Sequence, residues 1–167
     1  MRKTISAKLA GVFLAGAATL ALRTTAQAAS LQEILDSGTI RIAIANEIPY
    51  GYVDPVSGDV RGAGPDVAKH IVEELGIEEI EWITTDFSTL IPGLQADRFD
   101  MVAAEMAILP TRCATAIYSD PNSSYGEGLL VPAGNPKGIT SYETFAENPD
   151  LKVAIMAGAN QLDMMQA

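Results

Sequence analysis

Short β-rich runs alternate with helix-forming segments along most of this chain, and this alternation restricts its fold more than any other feature. The clearest β-rich runs cover residues 40–45, 80–83, 100–104 and 152–156, and segments with helical signals separate them. Strands that alternate with helices are typical of a mainly parallel sheet with helices packed against its faces. We therefore predict an α/β fold.

Capping residues indicate where the first two helices begin and end. Ser30 and Glu33 form a capping box, in which each side chain bonds the backbone amide of the other, and Gly38 closes that helix. A second helix is predicted to open at residues 64–66 and to end at Gly76. Its apolar residues recur at helical spacing and predict one buried face: Val67, Ala68, Ile71, Val72 and Leu75.

Weaker signals predict the remaining elements. Ser88 is a candidate N-cap for a short helix, and Thr140 is a candidate N-cap for another with Glu143 at its third position. A final helix is expected from Gly158 onward. The other predicted elements are a hairpin over residues 50–61, a helical turn at 111–114, a short strand at 117–119 and an extended run at 128–132.

The first 28 residues differ in kind from the rest. A basic start precedes an Ala- and Leu-rich run over residues 9–22, and Ala26-Gln27-Ala28 follows. This order predicts a secretory signal peptide cleaved after Ala28, and hence a periplasmic protein. The alternative is a membrane anchor, but a run of about 14 apolar residues is shorter than the ~20 that a spanning helix needs.

Charge and rare residues exclude several classes of function. Removing the signal removes four basic residues and no acidic one, which lowers the formal net charge from −10 to about −14. Such a chain is not expected to bind nucleic acid or anionic lipid through a basic patch. The single cysteine, Cys113, is expected to be a buried thiol, and the single histidine, His70, has no neighbouring ligand residues, so no metal site is expected.

Chemically distinctive side chains follow the predicted strands. Glu47 and Tyr50 come after the first strand, Phe87 after the second and Arg112 after the third. Loops after parallel strands meet at the carboxyl edge of the sheet, where ligands bind in open α/β folds. Arginine can hold a carboxylate through two parallel bonds, and aromatic faces and an acid attract a cation. The set therefore suggests a site for a small zwitterion.

Purely structural roles are the alternative for each of these residues. Tyr50 could pack the hairpin, Phe87 could fill an apolar gap, and Arg112 could form a surface ion pair. An enzyme with a nucleophile has less support, because no serine lies in a G-x-S-x-G elbow and Cys113 and His70 share no motif. The glycines of Gly62-Ala63-Gly64 give only a weak phosphate-loop signal, since no strand leads directly into them.

Several ordered motifs resemble a known family. The runs GTIRIA (38–43), GAGPDVA (62–68), LIPGLQA (90–96), PTR (110–112) and SDP (119–121) resemble the polar-amino-acid family of ABC-transporter solute-binding proteins. The similarity covers nearly all of residues 31–160. IANEIPY (44–50), Arg112-Cys113 and VPAGNPKG (131–138) are most similar to its ectoine/hydroxyectoine-binding branch.

The resemblance implies a type II periplasmic binding protein, in which two α/β lobes close around a ligand and deliver it to a membrane permease. It implies no cofactor, no catalysis and a monomer. In that branch a glutamate contacts ring nitrogens, aromatic residues enclose the cationic ring and an arginine holds the carboxylate. The matching positions, with one contact from the second lobe, are Glu47, Tyr50, Phe87, Ala107, Arg112 and Asn160.

The chain departs from the branch at five of its positions. Ala107 stands where the third aromatic is usual, Glu105 where glycine is usual and Leu109 where threonine is common, and Ala159-Asn160 replaces Gly-Thr. We expect the loss of one aromatic wall to weaken binding by about 0.5–2 kcal/mol. We also expect the Glu105 carboxylate to compete with a ligand for Arg112.

The resemblance sets the expected domains and function. Residues 1–28 are the signal peptide, 29–127 the first lobe, 128–132 a crossing between lobes, and 133–167 the start of an incomplete second lobe. The expected function is binding of ectoine, hydroxyectoine or an amino acid for an ABC importer. Two alternatives are a dehydratase-like enzyme with Glu47 and Glu105 as its acid/base pair, and a sensor lobe without transport.

Overall fold

The computed structural model describes residues 29–166, so the predicted signal peptide lies outside the described residues. In chain order the elements are α1 (Leu31–Ser37), β1 (Thr39–Ile44), β2 (Tyr52–Val53), β3 (Val60–Arg61), α2 (Ala63–Glu74), β4 (Glu79–Thr84), a 3₁₀ turn (Phe87–Thr89), α3 (Leu90–Gln95), β5 (Met101–Val102), α4 (Pro110–Cys113), α5 (Glu143–Glu147) and α6 (Gln161–Gln166).

A three-stranded parallel sheet lies at the centre of the fold. Its order is β4-β1-β5, with Thr39 opposite Glu79 at one end of the first pair and Ile44 opposite Thr84 at the other. Strand β2 pairs with β3 as the predicted antiparallel hairpin. These pairings confirm the predicted α/β class and its parallel strands.

The central strand β1 carries the middle of the hydrophobic core. Ile42, Ala43 and Ile44 are each 0% exposed, because elements cover both faces of the sheet at this strand. Ile42 and Ile44 pack with Ala68 and Val72 of α2. On the opposite face a second cluster forms around Ala43, Leu90, Phe99 and Ala104. Packing on both faces of the sheet therefore fixes the positions of the carboxyl ends of the strands.

An ion-pair network ties β1 to the loop that precedes β5. Arg41 donates from Nε to one carboxylate oxygen of Asp100 at 3.1 Å and from Nη2 to the other at 2.7 Å. The same guanidinium bonds the Asp97 carboxylate at 2.8 Å, and the Arg41 backbone amide donates to Asp100 at 2.9 Å. Because the pair is bidentate, it fixes the orientation of both segments as well as their separation.

Helix α1 has the predicted capping box, and Gly38 ends it in the left-handed conformation (φ 71°). Helix α2 differs from its prediction. Ala68 and Val72 are buried, but three residues of the predicted buried face are exposed: Val67, Ile71 and Leu75. Val67 and Ile71 face an open cleft instead of the sheet, so this helix buries a narrower stripe than its periodicity predicts.

The later part of the chain has little regular structure, and several predictions there are wrong. No strand forms at residues 117–119 or 152–156, since the described chain places no neighbouring strand beside them. Ser88 lies inside the 3₁₀ turn and does not cap it. Tyr142 replaces Thr140 as the N-cap residue of α5, and the last helix begins at Gln161.

Two smaller findings complete the fold. Cys113 is exposed, which contradicts the expected buried thiol, because the four-residue helix α4 leaves its last position open to solvent. Among the helices of residues 29–166, none is both long enough and apolar enough to cross a bilayer.

Candidate functional site

The loops that follow the three parallel strands meet along one cleft with a volume of about 1570 Å³. This volume exceeds the ~300–1,000 Å³ of typical small-molecule sites, so a small ligand would fill only part of it. Five of the six predicted site residues line this cleft: Glu47, Tyr50, Phe87, Ala107 and Asn160. The sixth, Arg112, does not line it directly but contacts two residues that do.

Arg112 lies on α4, where the backbone of Ala107 and the ring of Phe87 hold its guanidinium. It donates from Nη1 to the Ala107 carbonyl at 3.0 Å, and its Cζ lies 5.7 Å from the centre of the Phe87 ring. It also donates from Nη2 to the carbonyl of Gly158 at 2.8 Å. Within residues 29–166 it forms no ion pair, so its charge is free to attract an anion.

Glu47 and Tyr50 occupy a tight turn after β1. The backbones of Glu47 and Gly51 exchange two hydrogen bonds of 2.7 and 2.9 Å. Gly51 is required there, since a Cβ at this position would lie 2.7 Å from the Ala103 carbonyl oxygen. Burial raises the pKa of Glu47, and its carboxylate forms no ion pair in the described chain. A cationic group of a ligand would lower that pKa again.

The Glu105 carboxylate does not contact Arg112, although the sequence predicted that it would compete with a ligand for this arginine. Its two carboxylate oxygens accept hydrogen bonds from the side chains of Asn122 and Ser123, each at 2.6 Å. Its carbonyl accepts a bond from the hydroxyl of Tyr125 at 3.3 Å. These contacts turn the carboxylate toward the later loop, so Arg112 is left without it.

Tyr125 is a site residue that sequence reasoning missed. Its ring lies against that of Tyr50, with centroids 5.7 Å apart and planes tilted by 30°. Burial raises its pKa, and the nearby Tyr50 and the carboxylates of Glu105, Glu127 and Glu47 raise it further. No periodicity or motif marks this residue, which lies in a run of small and polar residues, and only its aromatic type was a signal.

Asn160 lies across the cleft and is held by the later part of the chain. Its side-chain amide donates to Glu127 at 3.0 Å, and Gln161 donates to the other oxygen of that carboxylate. At Ala107 only a methyl group enters the cleft. The side chain there contributes no wall, although its carbonyl holds Arg112.

Tyr118 is a second residue that sequence reasoning missed. Its hydroxyl is buried and forms no hydrogen bond of good geometry among the described residues, although the Arg112 guanidinium lies close enough to act on its pKa as a hydrogen-bond donor. Burial raises the pKa of this hydroxyl, while the charge of Arg112 acts in the opposite direction. The phenol therefore lies near the free cation of the site.

The arrangement suits binding of a small ligand with separated charges. Phe87, with the Arg112 guanidinium against its ring, lines one part of the cleft, and Glu47 lines another together with Tyr50 and Tyr125. In residues 29–166 no group of three or more His, Cys, Asp or Glu side chains is arranged to hold a metal ion.

The chain matches known proteins over most of its length. Residues 40–165 match the family model for bacterial extracellular solute-binding proteins, family 3. A probable amino-acid ABC transporter periplasmic-binding protein of Sinorhizobium fredii is 55% identical over 163 residues, which are 95% of this chain and 53% of that protein. The chain thus spans about half the length of this relative.

Two solved structures have similar folds. EhuB in complex with hydroxyectoine is 35% identical with a TM-score of 0.70, covering 81% of this chain and 52% of that one. The ancestral amino acid-binding protein AncCDT-1, a precursor of cyclohexadienyl dehydratase, is 32% identical with a TM-score of 0.74, covering 81% and 59%.

Proposed function

Because the chain belongs to family 3 of the bacterial extracellular solute-binding proteins, we propose that it captures a small zwitterion in the periplasm for an ABC importer. The candidate ligands are ectoine, hydroxyectoine or an amino acid. Two relatives support this range, since one is described as a probable amino-acid transporter component and the other was solved with hydroxyectoine. The partners would be the membrane permease subunits of the importer.

The free guanidinium of Arg112 is the observation that carries this proposal. It lies against Phe87 and forms no ion pair among residues 29–166, so a ligand carboxylate is its natural partner. The two bonds to Ala107 and Gly158 fix the fork in place before a ligand arrives. A preoriented guanidinium loses less side-chain entropy on binding than a mobile one.

Glu47 and Tyr50 are assigned to the opposite end of the ligand. The Glu47 carboxylate is half-buried without a cationic partner in the described chain, so a protonated ligand nitrogen would supply one. The face of Tyr50 would add a cation–π contact of about 0.5–2 kcal/mol. Asn160 would contact the ligand from the far side of the cleft. Ala107 would leave space where a bulkier side chain would close the site.

The proposed domain boundaries follow from the same assignment. Residues 29–127 would form the first lobe, 128–132 the crossing and 133–167 the start of the second lobe. Arg112 of the first lobe bonds the carbonyl of Gly158 in the second, which is the type of contact that lobe closure forms. Residues 1–28 would direct export and be removed.

Binding without catalysis is favoured over the dehydratase-like alternative. That alternative needs Glu47 and Glu105 as an acid/base pair in the cleft. The Glu105 carboxylate is instead occupied by two short hydrogen bonds from Asn122 and Ser123. We propose that its function is to hold the loop.

The test is thermal unfolding of the purified chain with hydroxyectoine, glycine betaine, L-glutamine and L-arginine. A ligand at 100 times its Kd should stabilise the fold by about 2.7 kcal/mol. Arg112→Gln should abolish the shift in melting temperature, while the matched control Arg98→Gln, an exposed arginine, should keep it.

Three results would overturn the proposal. They are the absence of any shift with all four solutes, an unchanged shift in Arg112→Gln, and chemical conversion of a solute during incubation. The last result would favour the enzymatic alternative.

A further inference from the structure

The loop that carries Tyr125 has no regular structure, and contacts to Glu105 hold it near the cleft. Asn122 and Ser123 each donate a 2.6 Å hydrogen bond to the Glu105 carboxylate, and the Tyr125 hydroxyl donates to its carbonyl at 3.3 Å. Hydrogen bonds to an ionised carboxylate are stronger than neutral ones. One residue on the sheet side therefore anchors three residues of the loop.

The backbone conformation of Glu105 is one that costs free energy for any residue other than glycine. Its φ is 49°, in the left-handed region that glycine adopts without strain and other residues adopt at a cost. A glycine at this position would relieve the backbone but would remove both carboxylate bonds. The side chain of Glu105 therefore contributes loop contacts and is not needed for the local turn.

The ring of Tyr125 is placed as a ligand surface. It is 56% exposed, so it is not a core residue, and it lines the cleft that Glu47 and Tyr50 also line. With ring centroids 5.7 Å apart, Tyr50 and Tyr125 contact each other and leave no room for a group between them. The two rings form one continuous aromatic surface whose outer faces remain available.

The charges around this surface indicate which group it would receive. The carboxylates of Glu47, Glu105 and Glu127 lie close enough to Tyr125 to raise its pKa, although burial and the Tyr50 ring contribute more. An aromatic face attracts cations, and neighbouring carboxylates strengthen that preference. A protonated or quaternary nitrogen fits this environment, and an anionic group does not.

We propose that Tyr125 is a ligand-contacting residue that extends the aromatic surface of Tyr50, and that Glu105 is the positioning residue which holds it there. This inference rests on the proposed function and deepens it. The surface would receive the cationic nitrogen of the zwitterion, while its carboxylate is held at Arg112. Ligand recognition would then use Tyr125, from the loop that follows α4, as well as the loops that follow the strands.

The experiment measures Kd by isothermal titration of the purified chain with hydroxyectoine, L-arginine and L-glutamine. Tyr125→Ala should weaken binding about tenfold, within the range of a desolvated cation–π contact. Tyr125→Phe should stay within about twofold, because the ring is kept. The control is Val56→Ala, an apolar side chain that is 94% exposed in the hairpin and outside the cleft.

The positioning role of Glu105 has its own readout. Glu105→Gly should keep the melting temperature of the free chain and weaken binding about five- to tenfold, since the loop loses its anchor. If Glu105 acts through Tyr125, the double variant should bind about as weakly as Tyr125→Ala alone. Additive losses would contradict the positioning role.

The outcomes separate the inference from the proposed function. An unaltered chain that binds a probe, with Tyr125→Ala binding it within about twofold, overturns the inference and leaves the proposed function intact. An unaltered chain that binds none of the probes overturns both. Loss of binding in Tyr125→Phe as well as Tyr125→Ala would contradict the role of the ring face, because the two variants share only the lost hydroxyl.

Discussion

The chain divides into two regions that differ in how they are held together. All of the buried hydrophobic residues in the described structure lie between Ile34 and Ala104. Beyond residue 114 none is buried, and Ile117 and Leu130 are fully exposed at 101% and 104%. The first region, residues 29–114, is a packed sheet with helices, whereas the second region, residues 115–166, is attached mainly through polar contacts.

This difference indicates that the first region supplies most of the stability, whereas both regions supply residues of the candidate site. The core of the first region supplies the hydrophobic free energy that fixes the loops of Glu47, Phe87 and Arg112. The second region places its residues through single hydrogen bonds, such as those to Glu105 and from Arg112 to Gly158. A substitution in the buried core of the first region should therefore change stability, whereas one in the second region should have little effect on stability.

The largest expected effect compares buried and exposed aliphatic residues. Ile42→Ala should lower the free energy of unfolding by about 3 kcal/mol, because Ile42 is 0% exposed and its loss leaves a cavity. The matched variant Leu130→Ala should change it by less than about 0.5 kcal/mol. Urea unfolding of both variants measures the contrast. Similar losses in the two would show that the second region is packed as tightly as the first.

The next effect concerns the ion pair beneath β5. Asp100→Asn should destabilise by about 2 kcal/mol at pH 7, because the side chain is 5% exposed and accepts three bonds from Arg41. Asp59→Asn, which breaks an exposed pair with Arg61, is the control and should cost less than about 0.5 kcal/mol.

The pH dependence of Asp100 has a defined sign. Burial acts to raise the pKa of this carboxyl, but the hydrogen bonds and charge of Arg41 outweigh it and hold the pKa below its usual value. The stabilisation is therefore complete above the unfolded pKa of about 4 and is lost as pH falls through the lower folded value. The free energies of unfolding of the wild type and of Asp100→Asn should therefore become equal as the pH is lowered. If the two free energies of unfolding differed by the same amount at every pH, the stabilising role of the Arg41–Asp100 ion pair would be contradicted.

A third comparison adds a methyl group to one glycine in each region. A Cβ at Gly93 would clash with the Phe99 ring, whereas one at Gly126 would meet no atom within 4 Å. Gly93→Ala should cost about 1–3 kcal/mol through overpacking. Gly126→Ala should leave stability unchanged or raise it by about 0.4–1 kcal/mol, since it restricts the unfolded chain. Calorimetry would measure the stability of both variants. Equal effects would contradict the difference in packing between the two regions.

The smallest expected effect tests a polar group in the second region. Tyr118 has a buried hydroxyl without a hydrogen bond of good geometry in residues 29–166, so its removal should cost little. Tyr118→Phe should keep stability or raise it by about 1 kcal/mol, the penalty of an unsatisfied buried group. A loss of stability in thermal unfolding would mean that this hydroxyl is bonded, with the neighbouring Arg112 as its partner.

The first region could be predicted from sequence because its signals are local. The capping box at Ser30 and Glu33, the glycine at Gly38 and the β-branched run of β1 each act within a few residues, and all are confirmed. The α2 face was predicted too wide, since periodicity gives the apolar side of a helix but not how much of it another element covers.

The second region could not be predicted in the same way. A strand needs a neighbour to pair with, and residues 117–119 and 152–156 have none in the described chain. Tyr125 was missed because its contact with Tyr50 joins residues 75 positions apart, with no motif to connect them. The orientation of the Glu105 side chain also could not be predicted, because it depends on hydrogen bonds from Asn122 and Ser123, which are distant in sequence.

Amide hydrogen exchange with and without the solute that binds most tightly among hydroxyectoine, L-arginine and L-glutamine tests the central claim most directly. The free chain should show slow exchange in β1, α2 and β4 and fast exchange over residues 115–132. The solute should then add protection at residues 105–107, 122–127 and 156–160, from both regions. Equal protection of the two regions in the free chain, or added protection confined to the first region, would contradict a site shared between them.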